Sequence, residues 1–445
     1  MTNSFSHMAG GDAADQSADV VIVGGGLAGG LAALAFASEG FSSVLIDATA
    51  PARLTDTAFD GRTTAISYAS ARVFRRLGLW DDLAADAEPI RDILVTDGRL
   101  GGRGPFQRGA VSPLHLHFDS NELNEGAGDD QQEGGPLGWI VENRLMRQAI
   151  FKHVAQKEMI SLIAPARQVG AERSAAGARV TLDDGRIIEG ALLVAADGRY
   201  SPLRADAGLK VNHWRYKQTG IVATILHEKS HEGIAQELFL PSGPFAILPL
   251  TSLPEDAGPL RHRSSLVWTE HEDAAPAYLA LNDTAFTDEI AHRTGPYLGE
   301  IALEGPRWSY PLAFHLAQSF IAPRLALIGD AAHAVHPIAG QGYNLGVKDI
   351  AALTDVLADA HAVGLDIGAL TTLQHYQRWR RFDSASLALG MDMMNRLFSN
   401  DAAPLRFVRD IGMGAVGKVQ PLRKFFMRQA GADLGALPRL MAREG

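Results

Sequence analysis

Gly24, Gly26 and Gly29 stand in the spacing GxGxxG, within Gly24-Gly-Gly-Leu27-Ala28-Gly29, and Asp47 follows 18 residues after Gly29. Residues of these types at this spacing can hold a dinucleotide. Gly24 permits a tight turn, Gly26 lets backbone N–H groups approach a pyrophosphate, and Gly29 lets a helix pack closely on a strand. A carboxylate at position 47 accepts hydrogen bonds from ribose hydroxyls. The motif alone leaves NAD and FAD equally open.

Such groups work only if a strand, a turn and a helix present them. Asp19-Val-Val-Ile-Val23 is short, apolar and β-branched, as a buried parallel strand should be. A helix over Leu31 to Ser38 then turns its positive end toward the phosphate, and a second strand, Ser43-Val-Leu-Ile46, delivers Asp47. The stretch from Val20 to Ser38 has no charged residue and is long enough for a bilayer span. Its glycines at 24, 25, 26, 29 and 30 fit strand, turn and helix better than one membrane helix.

Two further acid–glycine sites lie downstream. Ala191-Leu-Leu-Val-Ala-Ala196 reads as a strand and stops at Asp197-Gly198. Arg324-Leu-Ala-Leu-Ile328 runs into Gly329-Asp330, and the loop beginning His336-Pro337 leads through Gly340-Gln341-Gly342-Tyr343-Asn344 into a helix reaching about Ala360. Apolar positions at Leu345, Ile350, Leu353 and Leu357 follow the helical period. A carboxylate at a strand end can bind ribityl hydroxyls, and a helix start with free N–H groups can stabilise negative charge on a reduced flavin ring.

With these residues in place the chain resembles the single-component flavoprotein aromatic hydroxylases, the class of p-hydroxybenzoate hydroxylase, through Asp197-Gly198 and Gly329-Asp330. Asp60-Gly-Arg62-Thr-Thr-Ala-Ile66, Leu137-Gly-Trp-Ile-Val-Glu-Asn-Arg144, Trp214-Arg-Tyr216-Lys-Gln218, Gly243-Pro-Phe-Ala-Ile-Leu-Pro-Leu250 and the loop from Gly329 to Asp349 are similar to the ubiquinone-biosynthesis hydroxylases, the group that includes 2-polyprenyl-6-methoxyphenol hydroxylases. The similarity runs from Asp19 to about Pro438. It implies FAD as cofactor, NAD(P)H as electron donor, and hydroxylation of a polyprenylated phenol by O2 through a flavin C4a-hydroperoxide. It also implies residue roles. Gly24, Gly26, Leu27, Ala28, Gly29 and Asp47 would hold the ADP half, with Arg62 against the flavin side and Arg144 or Asn143 close to the same point. Asp197 and Gly198 would lie near the pyrophosphate and the path of NAD(P)H. Gly329 and Asp330 would bind the ribityl chain, while Pro337 and Gly340 to Asn344 would line the ring, where Gln341 and Gly342 belong to the catalytic environment. No general base stands out. Hydroxylation of another aromatic compound, a flavin reductase and an inactive flavin-binding scaffold of the quinone pathway remain as alternative functions.

Other features read more plainly. His333 and His336 stand three apart, but no carboxylate or third His completes a triad nearby and Pro337 breaks a helix, so no metal site is expected. His115 and His117 alternate on an expected strand and share a face. Asn121 to Gly135, acidic and glycine-rich, reads as a surface insertion, and Pro254 to His262 as a shorter loop. Leu387, Met391, Met394 and Phe398 keep helical spacing, as in a helix packed on the flavin unit. From Pro404 to Gly445 there are eight basic and three acidic residues, interleaved with Phe407, Val419, Leu422, Phe425 and Phe426. That region is a solvated helical tail or a surface for lipid head groups or a partner protein of the quinone pathway.

The chain has 445 residues, a formal net charge of −10 and no Cys. The charge argues against a nucleic-acid partner, and the missing thiols exclude disulfides, thiolate metal sites and cysteine nucleophiles. The expected fold is α/β: a discontinuous Rossmann-like FAD-binding domain (19–88, 138–209 and 311–362), an inserted mainly β substrate domain (89–137 and 210–310) and a helical region (363–445). Residues 1–18 read as a flexible polar tail without a targeting signal. The expected location is the cytoplasm, with peripheral contact at the inner face of the membrane.

Overall fold

The computed structural model describes residues 15–98, 111–124, 135–335, 340–398 and, near the C-terminus, 421, 424, 427–428, 431, 433 and 435–443. The expectations for Pro337, for His336 and for most of the basic C-terminal region fall outside these residues, as do the side chains of Leu387, Met391, Met394 and Phe398.

A parallel sheet forms around the first strand, Gln16–Val23. Ile187–Ala195 pairs on one side of it and Ser43–Ile46 on the other. Leu325–Leu327 and Ile160–Ile163 extend the sheet in parallel, and Gln168–Arg173 with Ala178–Leu182 add an antiparallel flap. Val20 to Val23 are all buried, which is why the run is continuously apolar rather than alternating. The pairing begins earlier than expected. Gln16 to Ala18, assigned to the tail, align with Ile188 to Gly190, because the neighbouring strand supplies partners for their backbone groups.

The helix Leu27–Ser38 is longer than the expected Leu31–Ser38 and is buried from Gly29 to Phe36. It is apolar on every side because it lies between the sheet and two helices, Asn143–Val154 and Gln341–Ala362. Gly30 permits one of those contacts: a Cβ there would sit 2.6 Å from Ile150 Cγ2. The uncharged stretch from Val20 to Ser38 is therefore strand, turn and helix, and among the described residues no helix is long and apolar enough to cross a membrane.

The second sheet has the order His333–Ala334, Ile301–Ala317, Val211–His227, His262–His271, Gly243–Leu250, Ile234–Leu240, Asp92–Gly98, Val111–Asp119. One face packs Ile221, Ile225, Leu238, Phe245, Ile247 and Trp268 against Phe286 and Ile290 of the helix Asp283–Thr294. The other face meets a small third sheet of Glu88–Ile90, Thr63–Ser67 and Gly138–Glu142. Ala65, Ile90 and Ile140 there join Ala235, Leu248 and Leu250 in one cluster. The architecture is the mixed α/β fold that the sequence implies.

Buried charge ties the second sheet to the third. Arg263 donates to Glu142 at 3.0 Å and to Glu304 at 2.8 Å, and Glu142 also takes a hydrogen bond from Arg144 at 2.6 Å. Arg263→Met should therefore cost about 3 kcal/mol, because it strips a partner from a carboxylate that stays buried. A thermal midpoint equal to that of the parent protein would contradict this.

Candidate active site

The first glycines do what their spacing requires. Gly24 has φ +104°, and a Cβ on it would lie 2.2 Å from the carbonyl oxygen of Ala196. A Cβ on Gly29 would lie 1.8 Å from the carbonyl oxygen of Gly24. So the turn, the helix and the end of the strand carrying Asp197 are pressed together, and only glycine admits it. A Cβ on Gly26 would meet nothing within 4 Å, which leaves its backbone facing open space. Leu27 and Ala28 open the helix behind it. Asp47 accepts from the backbone N–H of Gly25 at 2.5 Å and of Thr49 at 2.6 Å, so it braces the glycine turn and keeps further lone pairs for a ligand.

The second motif closes on the first. Asp197 Oδ2 accepts from the N–H of Leu203 at 3.2 Å, while Oδ1 is buried without a partner among the described residues. Burial pushes this carboxyl above its ordinary range, against hydrogen bonds that favour the charged form. Gly198, at φ +83°, again faces open space. The neighbouring Arg204 is buried and donates to the carbonyls of Arg199 at 2.9 Å and Ala331 at 2.8 Å, linking the second motif to the third.

In the third motif, a Cβ on Gly329 would be 3.4 Å from Ala28 Cβ, so this loop lies on the start of the first helix. Asp330 is solvent-accessible yet closely surrounded by protein atoms, and desolvation pushes its carboxyl up against the pull of His333 and Arg199. Gly340, at φ +61°, begins the helix Gln341–Ala362, and a Cβ there would be 2.8 Å from Ala65 Cβ. Asn344 fastens that helix to the third sheet: its Oδ1 accepts from Ser67 N–H at 3.0 Å and its Nδ2 donates to Ala65 O at 2.8 Å. Gln341 is buried, whereas a Cβ on Gly342 would meet nothing within 4 Å. Tyr343 turns inward, its ring 6.5 Å from that of Phe74, in the core behind the loop.

Arg62 and Arg144 are placed differently. The Arg62 guanidinium binds Asp60 at 2.8 Å and is exposed, and Arg144 donates to Thr57 O at 2.6 Å as well as to Glu142. Both stand in the segment 56–62 and 142–144 at the edge of the third sheet.

A network not expected from the sequence supports the Gly329 loop. Asp349 is fully buried. Its Oδ2 accepts from His333 at 2.6 Å and from Gly329 N–H at 3.1 Å, and its Oδ1 accepts from Arg380 at 2.9 Å. Burial alone would raise its carboxyl, but His333 and Arg380 outweigh it and hold the carboxyl below the usual range. Asp349 lies 16 positions after His333 and returns to it along the helix. No group of three metal-ligating side chains occurs among the described residues. The signal was present in the sequence, since Asp349 falls on the apolar stripe of its helix, four positions after Leu345.

These loops fit FAD. Open glycine backbones at 26, 198 and 342 leave room for phosphates and ring edges, and the orphaned Asp197 oxygen awaits a donor. The family described as an FAD binding domain matches residues 17–378. A ubiquinone hydroxylase of Rhodospirillum rubrum, UbiL, is 43% identical over 96% of this chain and 93% of its own. The 3-demethoxyubiquinol 3-hydroxylase of Escherichia coli is 31% identical over 94% of this chain and 99% of its own. Among solved structures, p-nitrophenol 4-monooxygenase of Pseudomonas putida shares the fold with a TM-score of 0.73 at 17% identity, over 94% of this chain and 99% of that one. The chain belongs to the FAD-binding-domain family and, within it, to the ubiquinone-biosynthesis hydroxylases.

Proposed function

We propose that the protein is a monooxygenase that hydroxylates the aromatic ring of a polyprenylated phenol on the route to ubiquinone, with FAD as cofactor, O2 as oxidant and NAD(P)H as electron donor. The observation that carries this reading is the meeting of the cofactor loops with the second sheet. Gly340 lies against Ala65, and Ala65 packs with Ala235 and Leu248. A ring held between that sheet and the helix start at Gly340 would lie beside the reactive end of the cofactor.

Bound FAD supplies the activation of O2 and the transfer of one oxygen atom to the ring. The chain's own residues anchor, orient and shield. Gly24, Gly26 and Gly29 with Asp47 would hold the adenosine end. Asp197 and Gly198 would flank the pyrophosphate, and Asp330 would take the ribityl hydroxyls. The backbone N–H groups at Gly340 to Asn344 would face the ring and stabilise negative charge on its pyrimidine side. The apolar part of the sheet face, Val222, Ala246 and Val267, would exclude water, so that oxygen reaches the phenol rather than solvent. The segments 19–88, 138–209 and 311–362 would serve the cofactor, and 89–137 with 210–310 the substrate. The basic stretch after Pro404 would meet the membrane's inner face or other pathway proteins, keeping a cytoplasmic enzyme near its lipid-like substrate.

The test is oxygen labelling. The FAD-loaded protein, supplied with a prenylated phenol and 18O2, should place one labelled oxygen on the ring, and Asp330→Ala should abolish this. Reoxidation of the flavin with no label in the phenol would leave a reductase instead. Quinone intermediates from a strain lacking this gene should miss one ring hydroxyl; a normal quinone profile would remove the pathway assignment.

A further inference from the structure

The sheet face that looks toward the cofactor loops carries Arg263, paired with Glu142 and Glu304, and several side-chain oxygens, three of which lack a partner among the described residues. They are Thr224 Oγ1, Glu237 Oε1 and Thr269 Oγ1. Their places follow from the pairing. Val95, Glu237, Ala246, Val267, Val222 and Trp308 form one cross-strand row. Thr224 pairs with Ser265 in the row on one side, and Thr269 pairs with Gly220 and thence Tyr310 in the row on the other. Paired residues project on the same side of a sheet, so the three oxygens share one face.

That face points at the flavin unit. Trp308 ends the Glu237 row, and a Cβ on Gly61 would lie 1.9 Å from its ring. Ser265 accepts a hydrogen bond from Thr63 Oγ1 at 3.0 Å, and Ala235, two residues before Glu237, packs with Ala65 and Ile140. Glu237 therefore sits in the middle of the surface under which the ring would lie. Glu237 is half-buried, but its Oε1 is buried there without a partner, which carries a desolvation cost unless a ligand pairs with it.

We propose that Glu237 receives the ring hydroxyl of the phenol, its Oε1 accepting first the hydrogen bond and then the proton of that hydroxyl. The phenol O–H bond breaks, its electron pair stays on the ring oxygen, and a new O–H bond forms on Oε1. The ring gains electron density just where an electrophilic oxygen must be attacked. Burial pushes the Glu237 carboxyl up to about 8, which makes its anion a stronger base than an ordinary glutamate. Its row neighbours Val95, Ala246, Val267 and Val222 carry no charge, nor do Ala65 and Ile140 opposite, so desolvation alone sets the shift. Thr224 and Thr269 flank it as hydroxyls that can orient oxygen substituents of the ring.

This assignment rests on the phenol reading above, and the test separates the two. The FAD-loaded protein is titrated with a short-chain prenylated phenol and with the same compound methylated on its ring hydroxyl. Above pH 8, where Glu237 is ionised, the parent protein should prefer the free phenol by roughly 10- to 100-fold, the worth of a hydrogen bond to a charged group. Glu237→Leu should lose that preference. Glu237→Gln has the same shape and keeps a hydrogen-bond acceptor, so KM should stay within a few-fold while kcat for labelled product falls roughly 100-fold. A Glu237→Leu protein that retains FAD and still prefers the free phenol would overturn the assignment. If that variant fails to fold, an unchanged kcat in Glu237→Gln does the same. A parent protein that hydroxylates no prenylated phenol fails the substrate reading itself, and this assignment with it.

Discussion

Gly29→Ala should yield no stable flavoprotein, whereas Gly26→Val should yield a folded protein that has lost its FAD. The two glycines lie three positions apart in one motif, yet they answer to different constraints. At Gly29 a single added carbon would stand 1.8 Å from the carbonyl oxygen of Gly24. Relief requires the helix Leu27–Ser38 to back away from a strand whose residues Val20, Val21 and Ile22 are completely buried. Close-packed interiors do not yield at that scale, so the cost should exceed roughly 3 kcal/mol and fall on folding itself. At Gly26 the same carbon meets nothing within 4 Å. The fold should be indifferent, and the branched side chain would instead fill the space through which a pyrophosphate approaches. FAD affinity should fall by roughly 100-fold or more, about 2.8 kcal/mol. Flavin absorbance after purification, read beside the thermal midpoint, separates the outcomes. A yellow, stable Gly29→Ala protein would contradict the packing, and a Gly26→Val protein that still binds FAD tightly would contradict the placement of the cofactor.

Asp349→Ala should destabilise the protein by about 3–5 kcal/mol, since it leaves Arg380 and His333 buried without their shared anion. It should also loosen FAD, because Asp349 holds the N–H of Gly329 at the base of the Asp330 loop. A double variant that also replaces Arg380 with Met should be less destabilised than the two single effects together, as expected for residues of one network. The pH dependence follows from the depressed carboxyl of Asp349. A group whose pKa is lower folded than unfolded contributes stability above its unfolded value and loses it as pH falls through the folded one. Acid should therefore weaken the parent protein below about pH 4, and Asp349→Asn should show a shallower loss over that range in chemical unfolding. A slope identical to that of the parent would mean that Asp349 does not carry charge in the folded state.

How much of the site was visible in advance depended on the distance over which each part is built. The turn at Gly24, the acid at Asp47, the Asp197-Gly198 step and the Gly329-Asp330 loop all sit at strand ends. There the residues that make the turn and those that would touch the ligand are the same few neighbours. Their arrangement is dictated by sterics within a handful of positions. Tyr343 shows the limit of that reasoning: it belongs to the right loop, yet its ring faces Phe74 in the core, because the direction of a side chain on the first helical turn depends on what packs behind it. Arg62 and Arg144 likewise found near partners in Asp60, Glu142 and Thr57. A long cation meets whichever acceptor the neighbouring turn supplies.

By itself, then, the sequence determined that the chain carries three acid–glycine strand ends of the kind that can hold FAD, and that its fold is α/β. Local spacing is enough for both. Only the tertiary structure decided that Ala196 and Gly329 close on the same glycine turn, that Asp349 returns to His333, and that Glu237 lies between Thr224 and Thr269 on the face above the cofactor loops. Those contacts join residues from different strands and helices, and their partners are chosen by sheet register and helix packing rather than by neighbours along the chain.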